Sequence, residues 1–430
     1  MRNFSLKRAI AIAALASGLS SFSALSAELD WSIESTVGRT DNATRVDTDE
    51  ISDTIGSIGG HIDLRREGSR INGRLRGHGS YRDYFDDTYD SEFLGSGAAE
   101  LRIGLIGEVL TWSIDDTFGQ VLSDSLAPST PENRENVNIF STGPDLRLPL
   151  GRATDLVIGA RYQDASYQDS NNVDNNRVTA DIALIRRTSP AVTWSLNVNA
   201  SSVDFDGPNN PGYDQQEVFV RLESKGAKQT LTADLGASFL DGGDQTDQTA
   251  LMRLNWLRQL SSSWSLELEA GSEFENADDQ FAYGVAGGTN LGGTQDVLLS
   301  GQAMRNDTAA LSLRFMRPRT RLRLHGDVGN ETYPDAVDLD RDNWSLGAEV
   351  TRRLTARLEA TLAFDHEERN YDVDNSSDET DRYSARIDWR IGRAVFLGIE
   401  GRWEDRSGNT GFTYDETVYL ASISYRPGAP

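Results

Sequence analysis

From Arg70 to Arg82 every second residue is polar: Arg70, Asn72, Arg74, Arg76, His78, Ser80 and Arg82. On an extended strand such a set lies on one face. Four arginines on that face form a basic ladder: Arg70, Arg74, Arg76 and Arg82. Similar alternate sets occur at Arg321, Arg323 and His325, and at Arg386, Asp388 and Arg390. Carboxylates occupy corresponding positions at Glu100, Glu217, Glu267, Glu269, Glu273 and Glu359. So many charges cannot be buried dry, because each ion loses its hydration. They require a wet interior. There they either pair along the wall or set which solutes pass.

Other chemistry is sparse. The 4 histidines (His61, His78, His325 and His366) show no metal-ligand spacing, so no metal site is read. His78 and Ser80 share a face, as in outer-membrane lipases, but two residues are a weak match. The acidic segments Asp241–Asp244 and Asp335–Asp342 could offer hard oxygens to Ca²⁺, yet neither fits an EF-hand loop and solvated surface loops explain them. No glycine-rich loop follows a strand and opens a helix. No catalytic residue and no cofactor are assigned, and the chain is not expected to be an enzyme.

The elements that carry these residues read as strands. Val192–Ser202 alternates Val192, Trp194, Leu196, Val198 and Ala200 with small polar residues. Leu231–Phe239, Trp264–Gly271 and Tyr383–Arg390 repeat the pattern. About 20 such segments, with 18 as the runner-up count, run the length of the chain at the length of tilted membrane strands. Tight links such as Ile106-Gly107-Glu108 and Arg317-Pro318-Arg319 alternate with longer acidic ones such as Asp86–Asp90 and Asp372–Asp381. That alternation describes an antiparallel up-and-down barrel with short periplasmic turns and long extracellular loops. Asn276–Arg305, with its many glycines, is expected as an external loop; folding into the lumen is the alternative.

Size decides what the apolar face touches. A ring of 16–18 strands already encloses an aqueous channel. About 20 strands would leave a lumen too wide to fill with aliphatic side chains, so the apolar face must look to lipid. The 8 Trp support this, because most lie near strand ends, as interfacial girdles require. Tyr84, Tyr167 and Tyr371, at the starts of long loops, are expected in the same girdle.

Residues 1–27 read as a signal peptide: Arg2, Lys7 and Arg8, then the apolar run Ala9–Leu19, then small residues to Ala27. Residues 28–430 form the barrel domain. The chain has no cysteine, and its net charge of −25 argues against nucleic acid as a partner. The expected location is the outer membrane of a Gram-negative cell, with the lipid bilayer as first partner.

Several phrases resemble the beta-barrel porin 2 family of outer-membrane barrels grouped with exopolysaccharide and exosortase systems. They are Thr40-Asp41-Asn42 leading to Ile51–Ile55, Asp115–Gln120, Pro131–Arg134, Phe140–Asp145 and Tyr414–Leu420. The resemblance implies a passive conduit or scaffold for exopolysaccharide export, with a periplasmic polysaccharide-export protein as partner. The basic ladder would suit an anionic polysaccharide. A general diffusion porin shares the architecture and is the alternative; an outer-membrane lipase or deacylase is the least supported.

Overall fold

A computed structural model describes residues 27–207, 210, 212–242, 246–286, 297–334, 339–372 and 376–427. The expected signal peptide lies outside them except for Ala27, which opens the first strand.

Twenty strands follow one another: β1 (Ala27–Thr40), β2 (Asp53–Arg66), β3 (Ile71–Tyr84), β4 (Glu92–Ile106), β5 (Leu110–Leu122), β6 (Arg134–Pro149), β7 (Thr154–Tyr167), β8 (Asn175–Ser189), β9 (Val192–Phe205) and β10 (Tyr213–Lys225). Then come β11 (Gln229–Asp241), β12 (Thr246–Gln259), β13 (Trp264–Glu275), β14 (Met304–Arg317), β15 (Thr320–Thr332), β16 (Arg341–Arg353), β17 (Leu358–Tyr371), β18 (Ser376–Arg390), β19 (Val395–Gly408) and β20 (Tyr414–Tyr425). Each pairs antiparallel with its sequence neighbours. β1 closes on β20 in the register Ile33↔Tyr425 to Thr40↔Val418. The closed ring has no free edge.

One rim carries tight links such as Pro190–Ala191 and Pro318–Arg319; the other carries the longer ones. The acidic stretch expected as a loop up to Asp381 is mostly strand, because β18 begins at Ser376.

The two faces differ sharply. Leu235 is 64% exposed while its neighbour Asp234 is 1% exposed and held by Arg221. Trp194, Leu196 and Val198 are exposed; Ser195, between two of them, is buried. All eight tryptophans fall on the outer, apolar parity. Several are braced by aromatic neighbours: Trp31 with Tyr425 at 5.7 Å, Trp264 with Phe315 at 4.9 Å and Trp403 with Tyr419 at 6.2 Å between centroids. Exposed apolar rings and aliphatics on the outside of a closed barrel are a lipid-facing belt.

Tyr84, Tyr167 and Tyr371 correct one expectation. They are buried and turn inward, where Tyr84 donates to Glu92 at 3.0 Å, Tyr167 to Asp278 at 2.6 Å and Tyr371 to Asp378 at 3.2 Å. They stand inside the barrel at the long-loop rim and are not part of the girdle.

Candidate functional site

Of the stretch expected as an external loop, the described residues 276–286 and 297–303 fold into the lumen, and 287–296 lie outside the described residues. It opens with a helix, α1 (Ala277–Ala286). Local sequence explains the helix. The Asn276 side chain accepts from the Asp279 backbone N–H at 3.1 Å, and Asp279 accepts from that of Asn276 at 3.3 Å. This reciprocal cap satisfies two donors that a helix start leaves free. Asp278 and Asp279 in the first turn complement the helix dipole.

Ala277, Phe281 and Val285 recur every four residues and make one apolar stripe. The stripe packs on inward residues of the wall: Val121, Val137, Ile139, Ala165 and Tyr167. Gly119 permits the approach, since a Cβ there would lie 3.1 Å from the Phe281 ring. Polar contacts fix the rotation. Asp278 is buried and accepts from Tyr167 at 2.6 Å and Asn175 at 2.8 Å, while Arg177 clasps both oxygens of Asp279 at 2.7 and 3.1 Å. Burial raises the pKa of the Asp278 carboxyl, against the pull of Arg177 and its hydrogen bonds.

The other side of α1 reaches distant strands. Gln280 donates to Glu331 of β15 at 3.1 Å, and Tyr283 donates to Glu269 of β13 at 3.2 Å. In a ring of twenty, β5 and β15 stand opposite each other. The helix therefore bridges the lumen.

Two other loops cover the mouth. Arg45, after β1, ion-pairs with Glu404 at 3.3 Å and Glu416 at 2.9 Å and lies over the Tyr414 ring. Burial works against its charge, but Glu404, Tyr414 and Glu416 hold its pKa above the usual arginine value. Leu126, after β5, offers its carbonyl to Arg406 of β19 at 2.7 Å, so that loop lies across the opening.

The charged residues singled out in the sequence are placed as follows. Arg70 belongs to the turn before β3. The others lie on strands, on the face opposite the apolar belt. Arg74 pairs with Asp63 at 2.9 Å and Arg82 with Glu92 at 3.5 Å; Glu92 also holds Arg134 at 3.0 Å. Glu267 pairs with Arg314 at 2.7 Å, and Glu269 accepts from Asn255 at 2.7 Å. Arg321 pairs with Glu359 at 2.9 Å. Arg386 meets Asp388 at 2.9 Å, Glu400 at 3.1 Å and Glu34 at 3.5 Å. Arg390 caps the turn below it through the carbonyls of Gly392 and Arg393. Arg76 and Arg323 lie on the same faces as their neighbours. The wall is thus a mosaic of cross-strand ion pairs.

Hydrolytic chemistry finds little footing among the described residues. His78 stands opposite His61 and its Nδ1 has no partner, so no acid orients it towards Ser80. His325 meets Asp365 at 3.2 Å and stands opposite Ser312 in register. The Ser312 hydroxyl is buried and makes no hydrogen bond, to His325 or to any other described residue. His366, Glu379 and Asp381 converge within 4.8 Å, but on the outward face, with the His366 ring against Trp344. Only strand register brings those three together; no sequence spacing announces them.

No family model and no curated protein matches the sequence. Solved structures do. Two mutant structures of the ferric enterobactin receptor PfeA from Pseudomonas aeruginosa align at TM-scores of 0.51 and 0.50 with 9% identity. They cover 93% of this chain and 81% and 80% of theirs. OccK2 (OpdF) from the same organism aligns at a TM-score of 0.40 with 12% identity, covering 94% of this chain and 99% of its own. The chain is an outer-membrane β-barrel, channel-like in build. Its neighbours in fold are transport barrels, and at these identities the likeness concerns the fold.

Proposed function

We propose that this barrel is a conduit or scaffold for exopolysaccharide export. The observation that carries the reading is α1, seated on β5 and tied to β15 across an ion-paired lumen. A general diffusion porin is served by an unobstructed passage; a bridge fixed at both ends suits a passage that opens for a particular cargo or partner. The family phrases noted above add support, and with them the idea of a periplasmic polysaccharide-export protein docking on the short-turn rim. Arg74 and Arg82 spend their charge on Asp63 and Glu92, so the ladder alone does not make the cargo anionic. A leader over residues 1–27 would deliver the chain for insertion.

Deletion of the gene, with secreted and cell-retained polysaccharide measured separately, tests the reading. Loss of secreted polymer, restored by the intact gene, is expected. Unchanged secretion would overturn it.

A further inference from the structure

Towards the long-loop rim, the outer face of β16 to β19 changes from aliphatic to charged. Phe364 and Tyr383, with ring centroids 4.9 Å apart, and Trp403 opposite Tyr383 mark the last aromatic row of the belt. One step further on the same face, His366 of β17 stands opposite Asp381 of β18, and the next pair is Glu368 opposite Glu379. On its other side Asp381 stands opposite Asp405 of β19. Two pairs of like charges therefore face each other directly, which destabilises a sheet. A cation among them removes that cost. No lysine or arginine pairs with these four carboxylates among the described residues, and the neighbouring Arg369 and Arg382 turn inward to Glu367.

The distances suit a metal ion. His366 Nδ1 lies 2.9 Å from Asp381 Oδ1 and 3.7 Å from Glu379 Oε1, and the three atoms fall within 4.8 Å of one another. Nitrogen and oxygen ligands held by one ion at about 2.0–2.2 Å stand about 3–3.6 Å apart. Asp381 is already at that spacing, and the exposed Glu379 needs only a small swing to complete the set. Trp344 frames the site: its ring lies 4.6 Å from that of His366 between centroids, and its indole N–H donates to Glu368 at 2.9 Å. That bond holds Glu368 aside as a neighbouring charge.

We infer that His366, Glu379 and Asp381 form a site for one Zn²⁺ on the outer face of the barrel. Nδ1 is the ligand nitrogen, so the ring proton sits on Nε2. An imidazole among the oxygens favours this borderline-soft ion over Mg²⁺ and Ca²⁺, which take oxygen shells. Three protein ligands leave a further position to water. The ion relieves the like-charge pairs and pins β17 to β18 at the rim.

The test is calorimetric titration of the purified full-length barrel in detergent, stripped with EDTA and titrated with zinc chloride in excess Mg²⁺. Zn²⁺ should bind. His366→Ala and Asp381→Asn should each weaken it by about tenfold or more, since even an outer partner of a metal ligand is worth that much. His325→Ala, on the lumen side, should leave it unchanged. Folding of each variant is verified by heat-modifiable gel mobility. No binding, suppression by Mg²⁺, affinity unchanged in the first two variants, or loss in His325→Ala would overturn the site. No polysaccharide enters the measurement, so the ion site and the conduit can fail separately.

Discussion

Arg177 and Asp278 play different parts in holding α1. Arg177 supplies two charge-assisted bonds to Asp279. Arg177→Ala should release the helix and raise single-channel current; unchanged current would show that the apolar stripe suffices. Asp278 is buried and its pKa is raised. A carboxyl whose folded pKa is raised favours the folded arrangement below its ordinary range, and that contribution is lost as pH rises through the raised value. Asp278→Asn mimics the protonated form, so α1 should stay docked and its docking should depend less on pH. Proteolysis of the 277–286 segment across pH would check this. On the wall, Leu196→Arg places a charge in lipid and should cost about 2–4 kcal/mol, whereas Asn197→Arg should cost far less. Equal costs in a folding titration would mean the faces are reversed. Parity alone made these faces legible. Position along a strand does not place the three tyrosines, but parity does: Tyr84 shares its parity with Arg82 and so points inward.

At the scale of elements, strands were legible and the helix was not. Alternation over a dozen residues is a strong signal, and tight turns punctuate it. α1 is ten residues long, sits in a glycine-rich stretch and gains its stability from the wall rather than from its own propensity. Its signals were present, as Asn276 three residues before Asp279 and apolar residues at 277, 281 and 285, but only the closed barrel supplies the surface they fit. Packing makes a prediction here. Gly119→Leu should push Phe281 out of contact, and backbone amides of 277–286 should exchange faster with deuterium. Protection equal to the parent would deny that the helix depends on that seat.

For the whole molecule, the outward turn of the apolar face and the membrane location follow from a single physical argument: a sheet this wide cannot fill its interior with side chains. Membrane fractionation should therefore recover the protein in the outer membrane, migrating faster on gels when unboiled. Recovery as a soluble periplasmic protein would contradict the barrel. Ion-pair partners were beyond reach of sequence, because Arg386 with Glu34 and Arg45 with Glu404 depend on ring closure between the first and last strands. The central claim is that α1 bridges the lumen. Single-channel recording in planar bilayers tests it most directly, comparing the parent with a barrel in which residues 277–286 are replaced by a short Gly-Ser link. The account predicts a low-conducting parent and a several-fold larger, steady conductance once the helix is gone. Equal conductance in the two would contradict it.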